Sequence, residues 1–152
     1  MINNILFADD GSAISNKALV YVKNFALKFN SKVKIIHIYT SPVIIPSMDF
    51  GQITPIYTND IEENFKQKGT EILIQVEKEF ENSGIETSIQ LIRGESVGST
   101  IIEMCNSGEF DLLVLGKHLK TRWEKFLMGS TSGHITHSVK CPVLLVNEKA
   151  TF

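Results

Sequence analysis

The residues best suited to chemistry are a tetrapeptide of glycine and hydroxyl side chains and an acidic turn far upstream. Gly129-Ser130-Thr131-Ser132 opens a short helical pattern that Cys141-Pro142 stops, just before the apolar run Val143 to Val146. A helix start leaves backbone N–H groups without intrahelical partners at the positive end of its dipole, an arrangement that suits phosphate. Serine and threonine there are equally natural N-caps, so the same residues serve a helix with no ligand at all. Upstream of them, Leu112 to Leu115 is an apolar run that Gly116 is expected to end. Lys117, Lys120, Arg122 and Lys125 add positive charge between the two glycines, with Glu124 among them.

At the other end of the chain, Asp9-Asp10-Gly11-Ser12 breaks the apolar run Ile2 to Ala8. A carboxylate at Asp10 can accept hydrogen bonds from hydroxyls or an exocyclic amine of a ligand. It can also close an Asx-turn onto Ser12, and the two roles are compatible. Gly94, after a third strand-like run, offers either close approach of a ligand to backbone or a positive φ in a turn.

Positioning these residues requires an alternation of strands and helices. Ile2 to Ala8 is a buried, parallel-type strand. Ile14, Ala18, Val22, Phe25, Ala26 and Phe29 recur at helical spacing, with Ser12 as the expected N-cap. Val33 to Tyr39 is a second strand, and Thr40 to Asn59, broken by Pro42, Pro46, Gly51 and Pro55, is a long irregular connection. Asp60 with Glu63 resembles a capping box for a helix running to about Asn82. Its apolar face is Ile61, Phe65, Ile72, Val76 and Phe80, and Gly84 is placed for a left-handed exit. Glu86 to Ile92 alternates as an edge or half-exposed strand would, and a helix from about Val97 to Asn106 follows Gly94-Glu95-Ser96. The expectation is a parallel sheet covered by helices on both faces, in one domain spanning 1–152.

Several of these motifs, in this order, resemble the universal stress protein family. Its ATP-binding branch carries a glycine after the fourth strand, two residues, a second glycine, nine residues, then glycine with Ser or Thr. Gly116 and Gly129-Ser130 stand at that spacing, while the middle position holds Leu119. Ile5 to Ser12 resembles the family's first strand and turn, and Cys141-Pro142-Val143 the start of its last strand. The resemblance implies an open, Rossmann-like sheet of the adenine nucleotide alpha hydrolase type, in strand order 3-2-1-4-5. Strands one and four would then share a crevice at the switch point. It also implies ATP or another adenine nucleotide such as AMP, with magnesium accompanying the phosphates. Asp10 would lie near adenine–ribose with Gly11 and Ser12, and Ile38 would frame the base. Gly94 would form a wall, and Gly116, Gly129, Ser130, Thr131 and Ser132 would form the phosphate loop. Leu119 supports the alternative, a nucleotide-free dimeric stress protein acting through protein contacts. On either reading a homodimer is expected through Val143 to Val146, an apolar edge with no charge before Glu148, and a further protein partner is compatible with both.

Composition narrows the field. With 152 residues and a formal net charge of -2, the chain makes no composition-level case for nucleic acid or an anionic membrane. Its apolar runs are short and no basic, hydrophobic leader opens it, so a cytoplasmic location is expected. Cys105 and Cys141 are the only cysteines and read as buried free thiols. His134 and His137 lie three apart without a completing ligand set, which reads as a solvated helix face rather than a metal site. The sequence holds no Walker A motif, no Gly-x-Ser-x-Gly elbow and no dinucleotide fingerprint. No catalytic constellation assembles, which leaves at most a weak ATPase.

Overall fold

A computed structural model describes residues 1–40, 58–117 and 130–151, with the side chains of 58–60 and 130–132 left aside. Five parallel strands form one sheet in the order β3-β2-β1-β4-β5. They are β1 (Asn4–Ala8), β2 (Lys32–Thr40), β3 (Thr87–Gly94), β4 (Leu112–Lys117) and β5 (Val143–Asn147). The helices are α1 (Ala13–Phe29), α2 (Thr58–Phe80), α3 (Val97–Asn106) and α4 (Ser130–Ser138). This is the expected doubly wound order, with β1 and β4 adjacent across the switch point and in register from Ile5↔Leu112 to Ala8↔Leu115.

Alternation along β1 divides the core between the two faces. Ile5 and Phe7 point into a cluster with Val22 and Ala26 of α1 and Leu73, Val76 and Phe80 of α2. Leu6 points the other way, into a cluster with Ile36 of β2, Leu113 of β4, Ile101 and Cys105 of α3, and Ile135 of α4. All five of the β1 and β4 residues Ile5, Leu6, Phe7, Leu113 and Val114 are fully buried, as a strand covered on both sides requires.

Local chemistry explains most element ends. Ser12 caps α1, its hydroxyl accepting from the Ser15 N–H at 3.2 Å, and Asn30 closes the helix in a left-handed conformation. Ser96 caps α3 in the same way through Ser99. Three expectations are corrected. Asp60 is not the cap of α2, because the helix already begins at Thr58. On that helix Leu73, not Phe65, joins the core; Phe65 is 43 % exposed. The strand does not stop at Gly116: β4 continues to Lys117, and Gly116 pairs with Val146 in the ladder. At the far end of α2, Asn82 takes the left-handed turn first and Gly84 follows with φ of 74°. The expected irregular connection falls largely in 41–57, outside the described residues.

Candidate functional site

Because every strand is parallel, the residues that leave their C-terminal ends gather along one rim of the sheet. The turn from β1 into α1 is built from consecutive hydrogen bonds. The Gly11 N–H donates to Asp9 Oδ1 at 2.7 Å, and the Ser12 N–H donates to Asp10 Oδ1 at 3.0 Å. The Ser15 hydroxyl also donates to Asp10 Oδ1, at 2.6 Å. The Asx-turn read from the sequence is therefore present, and it uses one oxygen of an exposed carboxylate. Gly11 has φ of 75°, a conformation that a side chain would strain, and a Cβ there would also press to 2.7 Å from Ile72 Cδ1 of α2.

Gly116 sits directly behind this turn. A Cβ on it would lie 3.1 Å from the Ser15 nitrogen and 3.2 Å from the Ile14 carbonyl carbon. The glycine thus lets the first turn of α1 close onto β4. Gly94 does the equivalent job across the sheet. Its φ is not positive, and a Cβ would collide with Thr100 Oγ1 of α3 and approach Ile38 Cγ2 to 3.2 Å. At both positions the chain itself fills the space where a side chain would stand, so helix packing accounts for these two glycines.

The expected site residues therefore fall into groups. Asp10, Gly11 and Ser12 meet Gly116 at the adjacent ends of β1 and β4, whereas Ile38 meets Gly94 at the ends of β2 and β3. Ser130, Thr131 and Ser132 form the first turn of α4. That helix runs back against the strands: its last residue, Ser138, accepts from Asn106 Nδ2 at the end of α3, beside the start of β5. Its N-terminus consequently lies toward the same rim as Asp10. Gly129, Leu119 and the basic residues Lys120, Arg122 and Lys125 lie outside the described residues. His134 and His137 are both exposed on α4.

Sequence reasoning passed over Asp9, the most unusual group of the rim. It is 3 % exposed, and its Oδ2 has no hydrogen-bond partner among the described residues. Its N–H donates to the Ile36 carbonyl at 2.9 Å, and its own carbonyl lies 2.7 Å from His37 Nδ1. Burial holds the carboxyl above its usual range; the Gly11 N–H opposes that shift and the neighbouring Asp10 charge adds to it. The signal was available in the period of two along β1, which puts Asp9 on the same inward face as Ile5 and Phe7 and Asp10 on the other.

Comparison with known proteins agrees with this architecture. Residues 1–147 match the model of the universal stress protein family. The universal stress protein MJ0531 of Methanocaldococcus jannaschii is 28% identical over 150 residues, covering 97% of this chain and 84% of that one. The structure of protein MJ0577 from the same organism superimposes with a TM-score of 0.80 at 22% identity, covering 99% of each chain. A universal stress protein family member from Arabidopsis thaliana, solved with AMP bound, superimposes with a TM-score of 0.64 at 16% identity, covering 97% of this chain and 93% of that one. At such identities the two structures establish the fold and nothing finer.

Proposed function

The chain belongs to the universal stress protein family, and on that premise we propose that it is a stress-response regulatory protein that binds an adenine nucleotide, ATP or AMP, at the C-terminal ends of β1 and β4. The observation that carries this reading is the adjacency of those two strands. It brings the Asp10-Gly11-Ser12 turn beside Gly116, on the rim toward which the first turn of α4 is directed. Solved members of the family in complex with AMP and with cAMP support the choice of ligand class. In this reading Asp10 accepts from ribose or adenine donors while holding its turn, and Ile38 and Gly94 lie beside the base. Ser130, Thr131 and Ser132 offer backbone N–H groups to phosphates, with magnesium as their counter-ion.

The test is to unfold the purified protein, chromatograph what it releases, and then titrate it with ATP, AMP and adenosine. Release of an adenine nucleotide, or saturable binding that Asp10→Ala weakens about tenfold without loss of fold, is the expected result. Leu119→Gly should tighten ATP by up to about five- to thirty-fold and leave adenosine unchanged, if the residue relieves a left-handed strain. No binding by wild type or by this variant sinks the reading.

A second reading has its own observation. Among the described residues β5 is an edge strand hydrogen-bonded on one side only, to β4, and three of its four apolar residues are only partly buried. We propose that a second copy pairs there. Sedimentation at roughly tens of micromolar should show a dimer; a monomer at that concentration removes this proposal and leaves the nucleotide reading standing.

A further inference from the structure

Away from the rim, at the opposite end of α4, the chain brings its only two cysteines together. Cys105 lies in the last turn of α3 and is 1 % exposed; Cys141, two residues before β5, is partly buried against the same cluster. The residue next to Cys105 fixes their approach. Asn106 Nδ2 donates to the Ser138 carbonyl at 3.1 Å, while Asn106 Oδ1 accepts from the Lys140 N–H at 3.0 Å. One amide thus grips the turn on both sides of Val139 and delivers Cys141 against α3. Cys141 packs against the buried cluster that contains Cys105. Burial pushes the Cys105 thiol up to about 12, and the neighbouring Cys141 acts in the same direction. Of the two sulfurs, Cys105 is the buried one and Cys141 is the one that meets solvent.

We propose that Cys105 and Cys141 form a reversible dithiol–disulfide site whose oxidant is a hydroperoxide. The Cys141 thiolate attacks the terminal peroxide oxygen; the O–O bond breaks, the alcohol leaves, and Cys141 becomes a sulfenic acid. The Cys105 sulfur then attacks the Cys141 sulfur. The S–S bond forms as the S–O bond breaks, and the departing hydroxide leaves as water with the Cys105 proton. Two thiols thereby lose two electrons and two protons, and the hydroperoxide becomes an alcohol and water. A small thiol reductant reverses the change by exchange. A high pKa slows Cys105 as a nucleophile, and its place in the same cluster as Cys141 offsets this by making the step intramolecular.

The experiment treats the full chain with a small excess of hydrogen peroxide. It then quenches in acid, unfolds, alkylates and weighs the protein by mass spectrometry without reductant. The expected product is lighter by two hydrogen atoms, takes up no alkylating group, yields a linked Cys105–Cys141 peptide pair, and regains two alkylatable thiols after reduction. Cys105→Ala should divert oxidation to sulfinic acid at Cys141 or to a disulfide between chains. Cys141→Ala should leave Cys105 oxidising about tenfold more slowly. The proposal is overturned if the wild-type chain accumulates sulfinic acid at Cys141 beside a free Cys105. Disulfides found only between chains, or thiols left intact at a dose that oxidises free cysteine, overturn it equally. These wild-type outcomes stand whether or not either variant folds.

Discussion

The two faces of the sheet close in different ways. Beneath α1 and α2 the buried set contains Phe7 and Phe80 among long aliphatic chains, and the glycine that admits the helix, Gly116, faces backbone atoms of Ile14 and Ser15. Beneath α3 and α4 the fully covered set has, among the described residues, no aromatic ring and includes a thiol, and its glycine, Gly94, faces the side chains of Thr100 and Ile38. Side chains can rotate away from an intruding methyl group, whereas the backbone of a capped first turn moves only with the turn itself. At Gly116, therefore, the face that carries Asp10 is keyed to the sheet by main chain, while Gly11 and Gly69 on the same face would meet the side chains of Ile72, Leu91 and His37. The face that carries the cysteine pair is keyed by groups able to adjust.

The largest effects should follow that division. Phe7→Ala removes a ring from the first face and should cost about 3–5 kcal/mol by denaturant unfolding. Cys105→Ala, equally covered on the second face, should cost about 1 kcal/mol. Equal costs would mean that the two cores are packed alike and would break the comparison.

The glycines sharpen it. Gly116→Ala should destabilise by about 1–3 kcal/mol and, by displacing Ser12 to Ser15, should also weaken any ligand held through Asp10. Gly94→Ala should cost less, because Thr100 Oγ1 can leave its 2.9 Å bond to the Ser96 carbonyl. Combining Gly94→Ala with Thr100→Ala should then be cheaper than the sum of the single changes by about 0.5 kcal/mol or more, the scale of coupling between touching residues. Strict additivity would show that Thr100 is not what Gly94 makes room for.

How far these features were legible in the sequence depends on the range of the interaction behind them. The Ser12 cap and the Asx-turn at Asp10 are local, with donors and acceptors a few residues apart, and the sequence disclosed them. The strand order was legible through the family resemblance. Gly116 was misread because Gly inside a strand looks the same in sequence as Gly ending one; the contact that demands it comes from α1, about a hundred residues away. Phe65 was misread as core because helical spacing marks a face without saying how far along the helix the sheet extends. The adjacency of Cys105 and Cys141 depends on Asn106 spanning more than thirty residues, for which the sequence offers no local sign.

The smallest expected effect tests this face at Asp9 Oδ2, which has no partner among the described residues. Asp9 is buried with Oδ2 unpartnered, and its pKa in the fold is raised above 3.8. Below that value the group is protonated in both states and places no charge in the core. As pH rises, the unfolded chain ionises first, so stability is lost progressively through the raised folded-state pKa. Asp9→Asn removes this titration and keeps an oxygen for the Gly11 N–H, which now reaches Asp9 Oδ1 at 2.7 Å. The new amide group places a donor where Oδ2 has no partner, which offsets part of the gain. The net change at neutral pH should therefore stay within about 1 kcal/mol, the scale of an ordinary single substitution. Its pH dependence carries the information. Relative to wild type, the variant should gain stability as pH rises above 3.8 and level off once the raised folded-state pKa is passed, because only the wild type must bury a charge. A difference that stays flat over that range would show that the Asp9 charge is accommodated at the end of β1, and that the main-chain-keyed face holds no unbalanced ionisable group.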